Sequence, residues 1–318
     1  MVQQLYLYLM EKKRILVLCG GKFAFPSLQQ LGVEHFLCGV GTGKAESEVV
    51  QVLKRESANN GLPYKAFPDK ESLSGLRAWI DELQPDYIFS ISFPFLLSEE
   101  VLAYGENRFI NFHPGPLPAY RGPMPLFEVL RYQEKETAIS VHFMNTEFDE
   151  GALILEEKVP VRNNETYGGL AVKLSERIAL VALNVAEMLQ YGSSIPSSMQ
   201  DEGQARYFEK PDFSDTLIQW NRMPAEEIIS LINACNPWNQ GADTLLMGKN
   251  IKLLTASLSS ETHTETPGKI LALTPREELA VSCLNGQVIH VPVISSDHGI
   301  LTARQFASLK NIIGYAFN

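Results

Sequence analysis

The stretch Arg14-Ile-Leu-Val-Leu-Cys-Gly-Gly21 decides the fold, because it is a continuous apolar run that ends at two glycines. Such a run is typical of a parallel strand that is buried on both faces. Outward from it, predicted helices and strands alternate: helices at 25–31, 45–59 and 73–83, strands at 35–40, 64–67 and 86–92. This alternation predicts an α/β fold with a mostly parallel sheet, in which ligands bind beyond the carboxyl ends of the strands.

The chain changes character after a long helix predicted at 170–188. Before that helix, residues 138–144 and 152–161 alternate with period two and predict antiparallel strands. Residues 191–215 have the composition of a linker, and we place the domain boundary between residues 203 and 204. Beyond it, a predicted helix at 225–235 precedes short β-like runs, which predict a small antiparallel barrel. These runs are 244–247, 251–256, 269–273, 279–283 and 287–292.

Composition excludes several classes of protein. The chain has 318 residues, of which 45% are hydrophobic and 20% charged, so it has enough apolar material for two folded domains. It contains no uncharged apolar run of about 18 residues, which excludes a membrane-spanning helix. The net charge of −10 disfavours nucleic acid as a partner, because proteins that bind phosphate backbones are usually basic.

The cysteines and the N-terminal residues indicate in which cellular compartment the protein acts. None of the four cysteines has C-x-x-C spacing or a nearby histidine pair; they are Cys19, Cys38, Cys235 and Cys283. They are typical of buried thiols in a reducing cytoplasm, where we expect the protein to act. Residues 1–10 are apolar, but charges follow this run instead of preceding it, which argues against a secretory signal and favours an extra turn before the first strand.

The glycine-rich segment Gly39–Lys44 superficially matches a phosphate-binding loop but fits neither known pattern. A Walker A motif needs glycine at Cys38 and serine or threonine at Ala45, and the dinucleotide motif needs glycine at Lys44. We therefore interpret the segment as a tight turn after the second strand. No metal site is predicted, because most histidines lack partners at ligand spacing: His35, His142, His263, His290 and His298.

Two polar segments carry candidate chemistry. One is Asn111-Phe-His-Pro-Gly-Pro-Leu-Pro-Ala-Tyr-Arg-Gly122, and the other is Phe148-Asp-Glu-Gly151. Asn111 can donate an N–H to a developing oxyanion, and His113 can hydrogen-bond or move a proton near neutral pH. Asp149 can orient the imidazole or take the proton. The same residues also fit a purely structural alternative, a histidine capped by an asparagine in a rigid loop.

The first of these segments closely resembles the signature loop of the folate-dependent formyltransferases. The family pattern is Asn-x-His-x-Ser-x-Leu-Pro-x-Tyr-Arg-Gly, followed later in the chain by Asp-x-Gly. It is matched here by Asn111, His113, Leu117, Pro118, Tyr120, Arg121, Gly122, Asp149 and Gly151. The resemblance continues at Gly20–Leu28, Phe95–Leu97 and Trp220–Trp238, so it covers nearly the whole chain.

The resemblance implies a Rossmann-like catalytic domain at 1–203, which binds 10-formyltetrahydrofolate, and an OB-like barrel at 204–318. An acceptor amine would attack the formyl carbon, without a metal. Asn111 and His113 would stabilise the tetrahedral oxyanion, while Asp149 would orient His113 and help relay the proton of the amine.

The resemblance also implies which residues bind the two substrates. Phe95, Leu96 and Leu97 would hold the flat pteridine of the donor, together with Pro116, Leu117 and Gly151. The loop 116–122 would form a wall of the site, with Tyr120, Arg121 and Gly122 on the acceptor side. For Arg121 two roles stay open, contact with a phosphate of the acceptor and fixation of the loop.

Departures from the family pattern concern the acceptor. Gly115 and Pro116 stand where the family usually has serine and leucine, as in relatives that act on acceptors other than tRNA. The turn near Lys44 lacks the basic insertion with which tRNA-formylating members contact the acceptor stem. Residues 1–203 carry 18 Lys+Arg against 26 Asp+Glu, and residues 204–318 carry 9 against 11, so neither half resembles an RNA-binding surface.

Four functions are therefore compared. We expect formyl transfer to a primary amine of a small acceptor, such as an amino sugar or a natural-product intermediate. Formylation of methionyl-tRNA is the main alternative, and hydrolysis of 10-formyltetrahydrofolate is a lesser one. The last is a catalytically silent nucleotide- or RNA-binding module, and the intact Asn111, His113 and Asp149 argue against it.

Overall fold

The computed structural model describes residues 12–44, 47–192, 195–309 and 311–318. The turn predicted within residues 1–10 lies outside these residues. The chain forms two compact units. The first comprises residues 1–123, 138–159 and 172–207, and the second comprises residues 124–137, 160–171 and 208–318. The domain boundary predicted between residues 203 and 204 stays a prediction.

The first unit is built on a seven-stranded sheet. Its strands are β1 (Ile15–Cys19), β2 (Leu37–Thr42), β3 (Tyr64–Ala66), β4 (Tyr87–Ile91), β5 (Phe109–His113), β6 (Glu136–Phe143) and β7 (Leu153–Pro160). They follow the order β3-β2-β1-β4-β5-β6-β7, with β1 to β5 parallel to their neighbours and β6 antiparallel to β5. This arrangement confirms the predicted Rossmann-like, mostly parallel sheet.

Helices cover the central strands of this sheet. Every residue of β1 is fully buried, as its unbroken apolar run predicts for a strand with both faces covered. In α3, Leu76, Trp79 and Ile80 are buried one helical turn apart, which is the amphipathic pattern of a helix on a sheet. The helices of the first unit include α1 (Phe25–Val33), α2 (Ser47–Asn59), α3 (Leu76–Leu83) and α4 (Glu99–Leu102). Helix α5 (Pro125–Arg131) belongs to the second unit, and α6 (Tyr167–Tyr191) has residues in both.

The turn predicted at Gly39–Lys44 is wrong for residues 39–42, which belong to β2. Gly39 and Gly41 lie inside β2 and pair with residues of β1. A Cβ on Gly41 would come 2.6 Å from a methyl group of Leu18 and 3.1 Å from the Trp79 ring, so glycine leaves space for core side chains. Only residues 43–46 separate the end of β2 from the start of α2.

The register of three neighbouring strands brings polar residues to one edge of the sheet. Because β4 and β5 are parallel neighbours, their carboxyl ends lie at the same edge. Antiparallel β6 pairs His142 with Asn111 and Ser140 with His113. Side chains of directly paired residues lie on the same face of the sheet, so polar side chains of β5 and β6 lie side by side at this edge.

The second unit contains a six-stranded antiparallel sheet. Its elements are β8 (Ala242–Leu246), β9 (Lys249–Thr262), β10 (Ile270–Leu273), β11 (Leu279–Ser282), β12 (Gln287–Ser296) and β13 (Gly299–Thr302), with helices α7 (Phe213–Thr216), α8 (Ala225–Ala234) and α9 (Ala303–Leu309). The strand order is β10-β11-β12-β9-β8, and β13 pairs with β12. Strand β13 and helix α9 were not predicted from the sequence.

The C-terminal residues close this sheet into a barrel, which confirms the predicted OB-like fold. Leu245 of β8 exchanges two backbone hydrogen bonds with Asn318, at 3.0 and 2.8 Å. Ile270 of β10 donates to the carbonyl oxygen of Tyr315 at 2.8 Å. Since β8 and β10 are the two ends of the strand order, the bridges from residues 316 and 317 to this sheet connect its two ends.

Candidate active site

The three side chains predicted to be catalytic lie together at the carboxyl edge of the first sheet. Asn111 and His113 are at the end of β5, and Asp149 lies between β6 and β7. The Oδ1 atom of Asp149 is 3.3 Å from Nδ1 of His113 and 3.4 Å from Nδ2 of Asn111. Asp149 has a left-handed backbone, with φ at 59°, which aspartate tolerates better than most residues. The structure therefore assembles the predicted trio from two separate chain segments.

Both ring nitrogens of His113 face hydrogen-bond acceptors. Nδ1 faces the carboxylate of Asp149, and Nε2 lies 2.7 Å from the carbonyl oxygen of Tyr120. Because these partners accept and do not donate, the environment fits a doubly protonated imidazolium. Burial alone would lower the pKa of His113, but the Asp149 carboxylate and the Tyr120 carbonyl outweigh burial and raise this pKa.

Asp149 is the negative partner of this imidazolium. Its Oδ2 atom accepts the backbone N–H of Gly122 at 3.0 Å, and Gly122 has a φ of 120°, which favours glycine. Burial alone would raise the pKa of Asp149, but the charge of His113 and the hydrogen bonds hold this pKa well below its ordinary value. The two side chains therefore form a buried ion pair whenever His113 is doubly protonated.

A second histidine, His142, completes the cluster and was not selected from the sequence. Its Nε2 atom is 3.0 Å from Nδ2 of Asn111, and its Nδ1 atom is 2.8 Å from the carbonyl oxygen of Phe143. The sequence feature that could have identified His142 is the period-two alternation of residues 138–144, which places Ser140 and His142 on one strand face. That signal becomes informative only once β6 is known to neighbour β5.

Hydrogen bonds fix the loop 116–122 at both of its ends. At the start, the Ser140 hydroxyl accepts the N–H of Leu117 at 3.1 Å and donates to the carbonyl oxygen of Gly115 at 2.8 Å. At the end, the Tyr120 carbonyl binds His113 and the Gly122 N–H binds Asp149. The ion pair therefore also holds the acceptor-side residues in place.

Arg121 is buried, and its guanidinium group is surrounded by acceptors. Nη1 and Nη2 donate to the two carboxylate oxygens of Glu202, at 3.0 and 2.6 Å. Nε and Nη2 donate to Oε1 of Gln200, at 3.3 and 3.0 Å, and Nη1 also lies 3.3 Å from Oε1 of Glu150. A guanidinium has five N–H donors, and these contacts engage all of them. Of the two roles considered for Arg121, the geometry favours fixation of the loop over contact with a phosphate.

Gly151 has a structural reason to be glycine. A Cβ at this position would lie 1.6 Å from the carbonyl oxygen of Phe143, so any side chain would force the two segments apart. The carbonyl oxygen of Gly151 accepts a hydrogen bond from Nε2 of Gln200 at 2.8 Å. Contact with a donor molecule, as expected from the resemblance, is therefore not needed to explain this glycine.

The segment expected to hold the donor offers two apolar side chains to solvent. Leu96 is 37% exposed and Phe95 is partly buried, with its ring 5.6 Å from that of Phe93 in an edge-on arrangement. Leu97 is only 2% exposed and belongs to the core. On the loop, Leu117 is 6% exposed and Pro116 is partly buried. Phe95, Leu96 and Pro116 can therefore contact a flat ring, whereas Leu97 and Leu117 support them from the core.

Within residues 12–44, 47–192, 195–309 and 311–318, no three His, Cys, Asp or Glu side chains are grouped to hold a metal ion. In the same residues, no helix is long and apolar enough to cross a membrane. The four cysteines are buried thiols, and burial raises the pKa of Cys19, Cys235 and Cys283 to about 12, so they are poor nucleophiles.

Comparison with protein families matches two long parts of the chain. Residues 33–182 match the family described as formyl transferase, and residues 212–311 match the formyl transferase C-terminal domain. Among similar proteins, the methionyl-tRNA formyltransferase of Moorella thermoacetica is 29% identical over 294 residues, 89% of this chain and 92% of that protein. The methionyl-tRNA formyltransferase of Syntrophomonas wolfei is 29% identical over 258 residues, 78% of this chain and 80% of that protein.

Solved structures show the same fold at lower sequence identity. A sugar 3N-formyl transferase, solved with dTDP and 5-N-formyl-THF, has a TM-score of 0.67 and 17% identity, over 89% of this chain and 98% of that chain. The N-formyltransferase of Helicobacter canadensis, in complex with folinic acid and dTDP-3-aminofucose, has a TM-score of 0.66 and 17% identity, over 88% of this chain and 98% of that chain.

The matches to both formyl transferase domains agree with the cluster of Asn111, His113 and Asp149 at the strand ends. A polar, buried ion pair beside an amide is suited to acyl transfer, in which negative charge develops on the carbonyl oxygen. The chain belongs to the folate-dependent formyltransferases, enzymes that take a formyl group from a folate donor.

Proposed function

We propose that this enzyme transfers the formyl group of 10-formyltetrahydrofolate to a primary amine of a small acceptor molecule. In this reaction the amine nitrogen forms a bond to the formyl carbon while the bond from that carbon to N10 breaks. One proton leaves the amine and one is gained by N10, so no further reactant is needed. The observation that carries the proposal is the convergence of Asn111, His113 and Asp149, with His113 held as an imidazolium.

The roles of these residues follow from their contacts. The positive charge of His113 stabilises negative charge on the formyl oxygen as the amine adds, and an N–H of Asn111 donates to the same oxygen. Asp149 keeps His113 charged and oriented, and helps relay the proton that the amine loses. On the donor side, Phe95, Leu96 and Pro116 supply apolar surface for the pteridine, which their exposure supports.

The small acceptor is favoured by charge. The protein has a net charge of −10, and only residues 43–46 separate β2 from α2, which leaves no space for a basic insertion. The loop arginine, Arg121, already binds Glu202 and Gln200 and has no N–H left for a phosphate. The negative net charge and the fully engaged Arg121 both disfavour the phosphate contacts that long RNA substrates use.

Methionyl-tRNA is the second candidate acceptor, and one observation favours it. The similar methionyl-tRNA formyltransferases match this chain at 29% identity over most of its length, including both domains. Hydrolysis of the donor to formate and tetrahydrofolate is a third outcome that the same trio can perform if water replaces the amine.

Parallel assays with one donor separate these functions. The enzyme is incubated with 10-formyltetrahydrofolate and, in turn, with dTDP-3-aminofucose as a small amine probe, with charged initiator methionyl-tRNA, and with no acceptor. We expect a formylated amino sugar and almost no formyl-methionine, with weak tRNA binding that changes little with salt. His113→Ala serves as the inactive control.

The possible results are distinct. Efficient formylation of methionyl-tRNA contradicts the small-acceptor proposal and supports the second candidate. Equal release of formate with and without amine supports the hydrolase. Activity of His113→Ala close to that of the unchanged enzyme contradicts the role given to the imidazolium in every one of these reactions.

A further inference from the structure

His142 lies beside the trio but has no part in the roles assigned above. Its side chain is 2% exposed, and the pairing of β5 with β6 holds it directly opposite Asn111. Strand register fixes the face on which a side chain lies, so this placement is not adjustable by a small local shift. The contacts of its two ring nitrogens therefore define what the imidazole can do.

These contacts fix the protonation of the His142 ring. Nδ1 lies 2.8 Å from the carbonyl oxygen of Phe143, which can only accept, so Nδ1 carries a proton. Nε2 lies 3.0 Å from Nδ2 of Asn111, which can only donate, so Nε2 presents its lone pair. The separation of Nε2 from Oδ1 of Asp149 is 3.7 Å, too long for a hydrogen bond. His142 is therefore a neutral Nδ1–H tautomer, unlike His113.

The neutral tautomer determines how the Asn111 amide is oriented. One N–H of Asn111 binds His142 at 3.0 Å, and the nitrogen end of the amide also faces Asp149 at 3.4 Å. The longer contact is the weaker one, so a reacting oxygen can replace it. Without an acceptor at His142, only the longer contact with Asp149 would hold the nitrogen end of the amide, so the N–H that faces the reacting oxygen would be less firmly oriented.

We propose that His142 is a positioning residue, which accepts a hydrogen bond from Asn111 and thereby fixes the end of that amide that faces the reacting formyl oxygen. This inference rests on the proposed function, because it assigns His142 a task in the same formyl transfer. It adds a fourth side chain to the site, one that acts through Asn111 rather than on the substrate.

Steady-state kinetics of three variants test this role. His142→Phe keeps a planar ring without an acceptor, and His142→Gln places an amide oxygen near the position of Nε2. With 10-formyltetrahydrofolate as donor and hydroxylamine as amine probe, we expect His142→Phe to lower kcat by about 10- to 100-fold with little change in the donor KM. His142→Gln should recover most of that loss. In an Asn111→Ala background, His142→Phe should change kcat by less than about threefold, because the residue it positions is gone.

Nitrogen NMR tests the tautomer without turnover. Long-range proton–nitrogen correlation in the unchanged enzyme, assigned by the signal that His142→Gln removes, should show the proton on Nδ1 of His142. A proton on Nε2, or an effect of His142→Phe that is as large without Asn111 as with it, overturns the proposal. If instead Asn111→Ala retains full activity, the proposed function itself fails, which is a separate result.

Discussion

Each of the two compact units contains a buried aspartate, and the two differ in the donors around them. Asp149 of the first unit lies in a loop with a left-handed backbone and pairs with His113 and the N–H of Gly122. Its main partner is an imidazole, the side chain whose charge changes most readily near neutral pH. The loop that the pair holds in place includes the acceptor-side residues.

Asp243 of the second unit lies within β8 and is 1% exposed. Four side chains donate to its two oxygens: Thr216 at 2.7 Å, Asn239 at 2.7 Å, Asn250 at 2.8 Å and Lys252 at 3.0 Å. Burial alone would raise the pKa of Asp243, but these donors lower it. None of them is an imidazole, and all come from the same barrel unit.

The two aspartates share a lowered pKa, so this property alone does not mark a catalytic residue. The difference lies in what the donors can do. The donors of Asp243 are three neutral side chains and the ammonium of Lys252, and they stabilise its carboxylate within the second unit. The partner of Asp149 is instead the His113 imidazole, which lies beside Asn111 and whose charge can act on a substrate. We therefore expect the same substitution to lower kcat per folded molecule at Asp149, and to lower only stability at Asp243.

The largest effect is expected for Asp149→Asn. The amide keeps the shape of the carboxylate but removes the charge that sustains the imidazolium of His113. We expect kcat per folded molecule for formyl transfer to fall on the order of 10³-fold, and the unfolding midpoint to fall as well, because the buried ion pair is lost. Steady-state kinetics and urea unfolding measure the two quantities, and Asp69→Asn, at an exposed position, is the control. A loss of activity that merely follows a loss of folded protein would contradict the catalytic assignment.

Asp243→Asn is expected to lower stability without lowering kcat. The new NH₂ group would replace one of the two carboxylate oxygens and face the two donors of that oxygen, which leaves at least one of these donors without its acceptor on residue 243. We expect the free energy of unfolding to fall by about 3–5 kcal/mol. The kcat per folded molecule, obtained from the active fraction, should stay close to that of the unchanged enzyme. A selective loss of kcat in the folded fraction would remove the distinction between the two aspartates.

Local signals made the first sheet and the trio predictable. The apolar run at residues 14–21 reports burial of a strand directly, and the motif from Asn111 to Gly122 is contiguous. Asp149 was found because its own short motif follows in the chain. Each of these features can be recognised without knowing which strands are neighbours.

Features that depend on strand pairing were missed. His142 contacts Asn111 across 31 positions of sequence, and only the antiparallel register of β5 and β6 reveals this contact. The closing tail of the barrel lacks an alternating apolar pattern, so nothing local predicts its pairing with β8. Gly41 was misinterpreted as part of a turn because its reason for being glycine is a neighbouring strand and helix.

A smaller effect is expected from one donor of Asp243. Thr216→Val replaces the hydroxyl that donates at 2.7 Å with a methyl group of similar size. Because three donors remain, we expect a loss of about 1–2 kcal/mol in the free energy of unfolding, and no effect on kcat. The control is Thr264→Val, at an exposed position, which should change the free energy of unfolding by less than about 0.5 kcal/mol. In an Asp243→Asn background, Thr216→Val should lower the free energy of unfolding by less than it does alone. An equal loss in both backgrounds would show that the side chains of Thr216 and Asp243 do not interact.

The smallest expected effect is a change of stability with pH. It should depend on Asp149 but not on the contacts of Asp243. The pKa of His113 is raised above 6.5, so the stabilisation it provides is complete below that pH and is lost as pH rises through the folded-state value. The pKa of Asp149 is lowered from 3.8, so its contribution is present above that pH and is lost on acidification. The pair therefore stabilises the fold fully only between about pH 4 and 6.5.

Urea unfolding between pH 6 and 9 should show this alkaline loss in the unchanged enzyme and in Thr216→Val, but not in Asp149→Asn. Titration of the His113 ring by proton NMR should give a pKa above 6.5. In Asp149→Asn the pKa of His113 should be lower, because burial lowers this pKa and the carboxylate that opposes burial is gone. A His113 pKa below 6.5 in the unchanged enzyme would mean that burial outweighs Asp149, and the imidazole would then be neutral during catalysis. Asp149 would in that case be no more than a loop anchor, comparable to Asp243.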